Sequence, residues 1–211
     1  MTISLINTGK RFNRDWIFRH LNFQFSAGMA YAITGPNGSG KSTLLQVIAG
    51  ALSPSEGKVE YLAKSSQPQT GNPLNPENIY LHLSIAAPYL ELIEEMTLHE
   101  FLHFHQQFKP LLASFSIPDI IALTGLEKAT HKQIRYFSSG MKQRVKLAQS
   151  IFSDTPVLLL DEPCTNLDAE GIALYQQLIT TYCKSRLIIV SSNDETEYAF
   201  CNEQLNINNY K

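Results

Sequence analysis

Residues 35 to 43 read GPNGSGKST, and this stretch limits the fold more than any other in the chain. It fits G-x-x-x-x-G-K-[ST], with Gly35, Gly40, Lys41 and Ser42 in the fixed places. Ahead of it MAYAIT reads as a buried strand, and from Lys41 the letters KSTLLQVIAGAL read as a helix. A strand, a glycine-rich loop and a helix in that order is the context the pattern requires. Gly38 and Gly40 permit backbone conformations other residues avoid, so successive N–H groups can turn inward around phosphate oxygens at a helix N-terminus. Lys41 adds positive charge at the outer phosphates, and the Ser42 hydroxyl is suited to Mg²⁺. Pro36, Asn37, Ser39 and Thr43 complete the loop. A solvated glycine-rich turn is the bland alternative, and it leaves the flanking strand and helix unexplained.

VLLLDE at 157 to 162 supplies the complementary part. Four apolar residues suit a central parallel strand. Asp161 ends it, where a carboxylate can hold Mg²⁺, and Glu162 follows, placed to orient and deprotonate an attacking water. Solvated acids at a strand end are common, but a second acid directly after the first, downstream of a phosphate loop, is the informative feature.

Around these motifs, LNFQF puts Leu21, Phe23 and Phe25 on one strand face, while GKVEYL at 57 to 62 and IYLHLSIAA at 79 to 87 read as strands. SSQPQTGNPLNPEN reads as a long exposed loop. MTLHEFLHFHQQF, PDIIALTGL and a segment from near Ser138 read as helices; AEGIALYQQLITTYC is helical and RLIIVSS a strand. Strands alternating with helices, interrupted by a helical block, predict a layered α/β core with a helical subdomain. A chain of 211 residues with 44% hydrophobic content can bury one sizeable core. A formal net charge of −2 gives no electrostatic case for nucleic acid. Cys164, Cys183 and Cys201 have neither CxxC spacing nor an even count, so reduced thiols in a cytosolic protein are expected. No signal peptide is read at the N-terminus, and no window approaches the ~18 apolar residues of a membrane span.

With these pieces in place, the chain resembles the ATP-binding cassette ATPases, the nucleotide-binding subunits of ABC transporters, over nearly its whole length. The most specific part is FSSGMKQRVKLAQSIFSDTPVLLLDEPCTNLD at 137 to 168. There Phe137, Ser138, Ser139, Gly140 and Met141 occupy the places of the family signature usually written LSGGQ. Ser138 can cap a helix whose free N–H groups attract phosphate. The resemblance implies a P-loop NTPase core with a mostly parallel central sheet, an N-terminal antiparallel β subdomain and an inserted helical subdomain at about residues 84–135. It implies ATP and Mg²⁺ as ligands, with Ser42 and Asp161 at the metal and Glu162 as the base. It also implies a second ATP-binding subunit, identical or a paralogue, that sandwiches two nucleotides with this one. A separate transmembrane permease would hold the pair on the cytoplasmic face of a membrane, with residues from about Ser84 to Lys109 of this chain receiving a cytoplasmic helix of the permease. Phe12 falls where the family stacks an aromatic on adenine, with a core aromatic as the alternative; Trp16 is the poorer candidate. Asp168, in TNLD, matches the residue that communicates across the dimer, and a helix N-cap explains it equally well.

Two departures bear on rate. Where the family has a glutamine entering the helical subdomain, this chain has Ala87 or Pro88, and Asn193 stands where a histidine normally touches the γ-phosphate. Asparagine donates a hydrogen bond but does not titrate near neutrality. A soluble cassette acting as a slow regulatory switch is therefore the alternative function. A third reading comes from HEFLH, since His99 and His103 at i, i+4 with Glu100 imitate a zinc peptidase helix. The resemblance instead makes TLHEFLHFH the first helix of the helical subdomain, with Leu98, Phe101 and Leu102 as its apolar stripe. Only His105 or His131 offers a third zinc ligand.

Overall fold

The computed structural model describes residues 1–63 and 72–211. In chain order its elements are β1 (Thr2–Phe12), β2 (Asp15–Phe25), β3 (Ala30–Thr34), α1 (Lys41–Ile48), β4 (Glu56–Leu62), β5 (Leu83–Ala86), α2 (Leu98–Phe108) and α3 (Ile117–Leu123). They are followed by α4 (Ser139–Ile151), β6 (Val157–Asp161), α5 (Ala169–Tyr182), β7 (Leu187–Ser191), α6 (Glu195–Tyr198) and β8 (Glu203–Asn206). The chain divides into two compact units, one of Met1–Leu83, Thr155–Asp161 and Ser185–Lys211, the other of Ser84–Asp154 and Glu162–Lys184.

The first unit holds an antiparallel sheet in the order β2-β1-β4 and a parallel run β6-β7-β3-β8. Every residue of β6 and β7 is buried, which is why both read as unbroken apolar runs rather than alternating ones. The register pairs Leu159 with Ile189 and Tyr31 with Ile189, so β7 lies between β6 and β3. Helix α1 buries Leu44, Leu45, Val47 and Ile48. Burying four such side chains contributes on the order of 6–12 kcal/mol before ordering entropy is charged against it.

The second unit is helical. Thr97 caps α2 and Ser116 caps α3, each in a reciprocal capping box with Glu100 or Asp119 three residues on. Leu98, Phe101 and Leu102 are the buried residues of α2, as the stripe predicted. Phe115, Phe152 and Tyr182 meet edge to face or tilted, with ring centroids 5.1–5.4 Å apart, and tie the end of α4 to the end of α5.

One strand expectation is corrected. IYLHLSIAA is not a single strand: Pro76–His82 form a 3-10 helix, and only Leu83–Ala86 extend. The cause is local, since the Asn75 side chain accepts from Glu77 N at 3.0 Å and Pro76 stands at the first helical position. Of the loop expected over 65–78, residues 65–71 lie outside the described residues. No helix among the described residues is long and apolar enough to cross a membrane.

Candidate functional site

The glycine-rich loop leaves β3 and enters α1. Gly35, Gly38 and Gly40 have φ of 145°, 75° and 101°, all on the side of φ that residues with a Cβ avoid. Gly40 occupies the N-cap of α1, so no side chain caps the helix, and no acidic residue sits in its first turn. The N–H groups of Lys41, Ser42 and Thr43 therefore remain available to an anion. Pro36 accepts from Ser39 N at 3.1 Å, closing the turn around Asn37 and Gly38. Lys41 is 5% exposed, and its Nζ donates to Gly35 O at 2.8 Å and Pro36 O at 3.2 Å. A buried ammonium whose hydrogen bonds go to two neutral carbonyls can exchange them for phosphate oxygens.

Asp161 ends β6 at 1% exposure, and its Oδ1 is among the buried polar atoms without a hydrogen-bond partner. Desolvation pushes its pKa up; the Ser191 and Ser42 hydroxyls and the Lys41 charge pull it back. A carboxyl group that hydrogen-bonds the serine of a phosphate loop and keeps one oxygen under-satisfied is a fit for a hard cation with oxygen ligands. On that chemistry the residues present suit Mg²⁺ bound with a nucleotide phosphate. Ser39 Oγ is likewise buried without a partner.

Glu162, the next residue, has φ of 43° and is half-buried. A left-handed non-glycine costs on the order of 1–2 kcal/mol, and a residue before proline is normally extended. Within its own unit the turn is held by Thr165 N on Glu162 O at 3.2 Å, Leu167 N on Cys164 O at 3.0 Å, and buried Gln143 Nε2 on Pro163 O at 2.7 Å.

Ser138 caps α4, accepting from Met141 N at 3.2 Å, and the first turn carries no acid. Ser138, Ser139, Gly140 and Met141 line a cavity of about 660 Å³ together with Asn166 and Asp168. Asp168 caps α5, accepting from Gly171 N at 2.8 Å, and lies 3.6 Å from Arg144. The N-cap explanation of Asp168 is thus realised, and the cavity places the same side chain beside the start of α4.

Phe12 ends β1 at 47% exposure, with Lys10 Nζ 5.3 Å from its ring centroid, so it is not a core aromatic. Trp16 already has guanidinium groups over its ring, Arg19 at 4.1 Å and Arg11 at 5.5 Å. Asn193 is exposed in the turn between β7 and α6. Ala87 is buried and Pro88 exposed, and Lys146 of α4 donates to both carbonyls, at 3.2 and 3.0 Å.

The three histidines of α2 do not converge. His99 lies beside His131, ring centroids 6.3 Å apart; His103 Nδ1 meets Gln106 Nε2 at 3.1 Å; His105 Nε2 meets Ser153 Oγ at 2.9 Å. Glu100 is committed to its capping box with Thr97. Among the described residues no group of three or more His, Cys, Asp or Glu could hold a metal ion.

Sequence reasoning missed three contributors. Ile207, after β8, packs against Gly35 and Gly40, where any Cβ would collide with it or with Ile17 or Ser39. Lys211 Nζ donates to Ser39 O at 2.7 Å. Gln143 reaches Pro163. The first two are brought in by the β3–β8 pairing, which no local pattern announces.

A model of the family described as ABC transporter matches residues 18–165. The cytochrome c biogenesis ATP-binding export protein CcmA of Agrobacterium fabrum is 30% identical over 198 residues, 92% of this chain and 90% of that protein. An uncharacterized ABC transporter ATP-binding protein of Bacillus subtilis, YybJ, is 27% identical over 208 residues, 98% of this chain and 92% of its own. A bacterial ABC transporter cassette solved as a dimer shares the fold at a TM-score of 0.79 and 20% identity, covering 97% of this chain and 94% of that one. With the family model matched over residues 18–165 and a relative 30% identical over 92% of this chain's length, the chain belongs to the ABC transporter family as one of its ATP-binding, ATP-hydrolysing subunits.

Proposed function

We propose that this chain powers a transporter through MgATP-dependent pairing with a second ATP-binding subunit, each nucleotide lying between the loop 35–43 of one chain and the start of α4 of the other. The observation that carries the reading is Asp161, a buried carboxyl hydrogen-bonded to Ser42 and near the Lys41 charge, whose Oδ1 has no hydrogen-bond partner. Mg²⁺, when bound, screens the phosphate charge; Ser42 and Asp161 would hold it. Lys41 exchanges its two carbonyls for phosphate oxygens. The N–H groups at the start of α1 orient the same phosphates, and Phe12 offers its exposed ring to the base. Glu162 accepts a proton from the attacking water as the bond from phosphorus to the ADP oxygen breaks. Ser138, Ser139, Gly140 and Met141 present the α4 N-terminus to the partner's nucleotide, with Asp168 beside them. Asn193 donates to the γ-phosphate.

In this reading residues 84–135 are the inserted helical subdomain, and a permease takes the segment Ser84 to Lys109 on the cytoplasmic face of its membrane. The permease chooses the substrate. Loss of the usual glutamine at Ala87 and Pro88, and of the usual histidine at Asn193, makes hydrolysis slow, because the attacking water and γ-phosphate are held by fewer groups.

Glu162→Gln tests this. It should keep ATP affinity, remove most turnover and leave an ATP-dependent dimer that persists on size-exclusion chromatography, since only proton transfer is lost. A variant that hydrolyses at the wild-type rate removes Glu162 from the base role.

A further inference from the structure

Helix α4 carries more than the signature. From its second turn Gln143, 4% exposed, sends Nε2 to the carbonyl of Pro163 at 2.7 Å, a buried hydrogen bond across 20 residues of sequence. Pro163 is itself buried and has no N–H, so this carbonyl is the residue's own polar group that must be satisfied. The residue before it is Glu162, whose left-handed backbone at φ 43° is disfavoured both by its Cβ and by the proline that follows. Such a conformation persists only where the surroundings over-determine it. The turn's own bonds, Thr165 N to Glu162 O and Leu167 N to Cys164 O, close the segment downstream. Gln143 fixes the Pro163–Cys164 peptide, and with it the placement of the proline bonded directly to Glu162.

We propose that Gln143 is a positioning residue for hydrolysis. Its amide locks the Pro163 carbonyl, and through it the left-handed Glu162 that aims the carboxylate. This rests on the reading of Glu162 as the base. It adds that one helix serves both nucleotides of a pair: the N-terminus of α4 faces the partner's phosphate, while Gln143, five residues beyond Ser138, holds the base for its own. Neighbouring side chains strengthen that role for α4 within the unit, as Lys142 pairs with Glu94 and Lys146 holds the carbonyls of Ala87 and Pro88. Remove the donor from position 143 and the Pro163 carbonyl is left buried and unsatisfied. The Pro163–Cys164 peptide then rotates toward solvent or a new donor, Pro163 shifts with it, Glu162 relaxes to the extended conformation that a residue before proline prefers, and its carboxylate leaves the water.

The experiment compares the purified wild-type chain, Gln143→Met and Gln143→His. Methionine keeps the length and apolar bulk without a donor; histidine restores a neutral N–H at similar reach. Steady-state ATP hydrolysis, nucleotide affinity, thermal midpoint and lifetime of the MgATP dimer are measured for each. Gln143→Met should lower kcat by about ten-fold or more while KM for ATP stays within about three-fold, and its ATP-dependent dimer should outlast that of wild type. Gln143→His should recover kcat to within about three-fold of wild type. A kcat for Gln143→Met within about two-fold of wild type overturns the proposal. So does a parallel fall in kcat, ATP affinity and thermal midpoint that histidine does not reverse, since that is the signature of a packing role alone. Glu162→Gln separates the two levels. If it is inactive while Gln143→Met is active, only the positioning role fails; if it retains turnover, the base assignment fails and the positioning role goes with it.

Discussion

Gly40→Ala exposes how the phosphate loop is held. At φ 101° a Cβ is strained whatever the space around it, and here it would be driven into Ile17 Cγ2 of β2, well inside contact distance. Two costs are separable. The backbone cost of a left-handed alanine is about 1–2 kcal/mol, and forcing a methyl into a packed site costs about 1–3 kcal/mol, so the fold should lose about 2–5 kcal/mol. Against a total stability of about 5–15 kcal/mol, this is a large fraction. The loop can instead escape by opening, in which case stability is spared and the inward N–H groups are lost. Either way nucleotide binding falls. Urea unfolding, followed with and without MgATP, gives both quantities. Removing the obstacle by Ile17→Ala should return the steric part alone, so a double-mutant cycle should show a coupling of about 1–3 kcal/mol, with the backbone part remaining. The reasoning is refuted if Gly40→Ala loses less than about 1 kcal/mol and binds ATP like wild type, or if the cycle is additive.

Two further outcomes follow from buried ionisable groups. Asp161→Asn removes a carboxyl whose pKa burial has raised; since its ionised form is a cost at neutral pH, the variant should be more stable than wild type without nucleotide, by about 2–4 °C for each kcal/mol gained, yet should lose the extra stabilisation that Mg²⁺ adds to ATP, as differential scanning calorimetry would read. His105, which burial and the Lys109 charge push down from 6.5 to about 4, is neutral in the folded chain where the unfolded chain is protonated. The unfolded state therefore binds more protons between these values, and stability falls as pH drops from 6.5 toward about 4. His105→Gln should flatten that part of the urea stability curve, and an unchanged curve counts against the burial of this imidazole.

The sequence alone determined the parts whose physics is local. GPNGSGKST needs positive φ at its glycines, and those angles occur wherever β3 hands over to α1. VLLLD is apolar because it is buried on both faces, and Asp161 ends it as its pattern required. The stripe of α2 and the caps at Ser138 and Asp168 are set by neighbours three or four residues away. Where local signals competed, the reading failed: apolar letters from Ile79 suggested a strand, while Asn75 and Pro76 had already started a 3-10 helix. Contacts between distant segments were decided only by the tertiary structure. Parallel pairing of β3 with β8 carries Ile207 and Lys211 to the glycine loop, 172 residues after Ser39 in the case of Lys211. The packing that brings α4 to the turn after β6 gives Gln143 its partner at Pro163. It also left Phe12 47% exposed with Lys10 over its ring, and placed two arginines over Trp16. It dispersed the histidines of HEFLHFH among Gln106, His131 and Ser153. A helix fixes the spacing of side chains along itself, but what each one meets depends on segments whose arrival the local sequence does not encode.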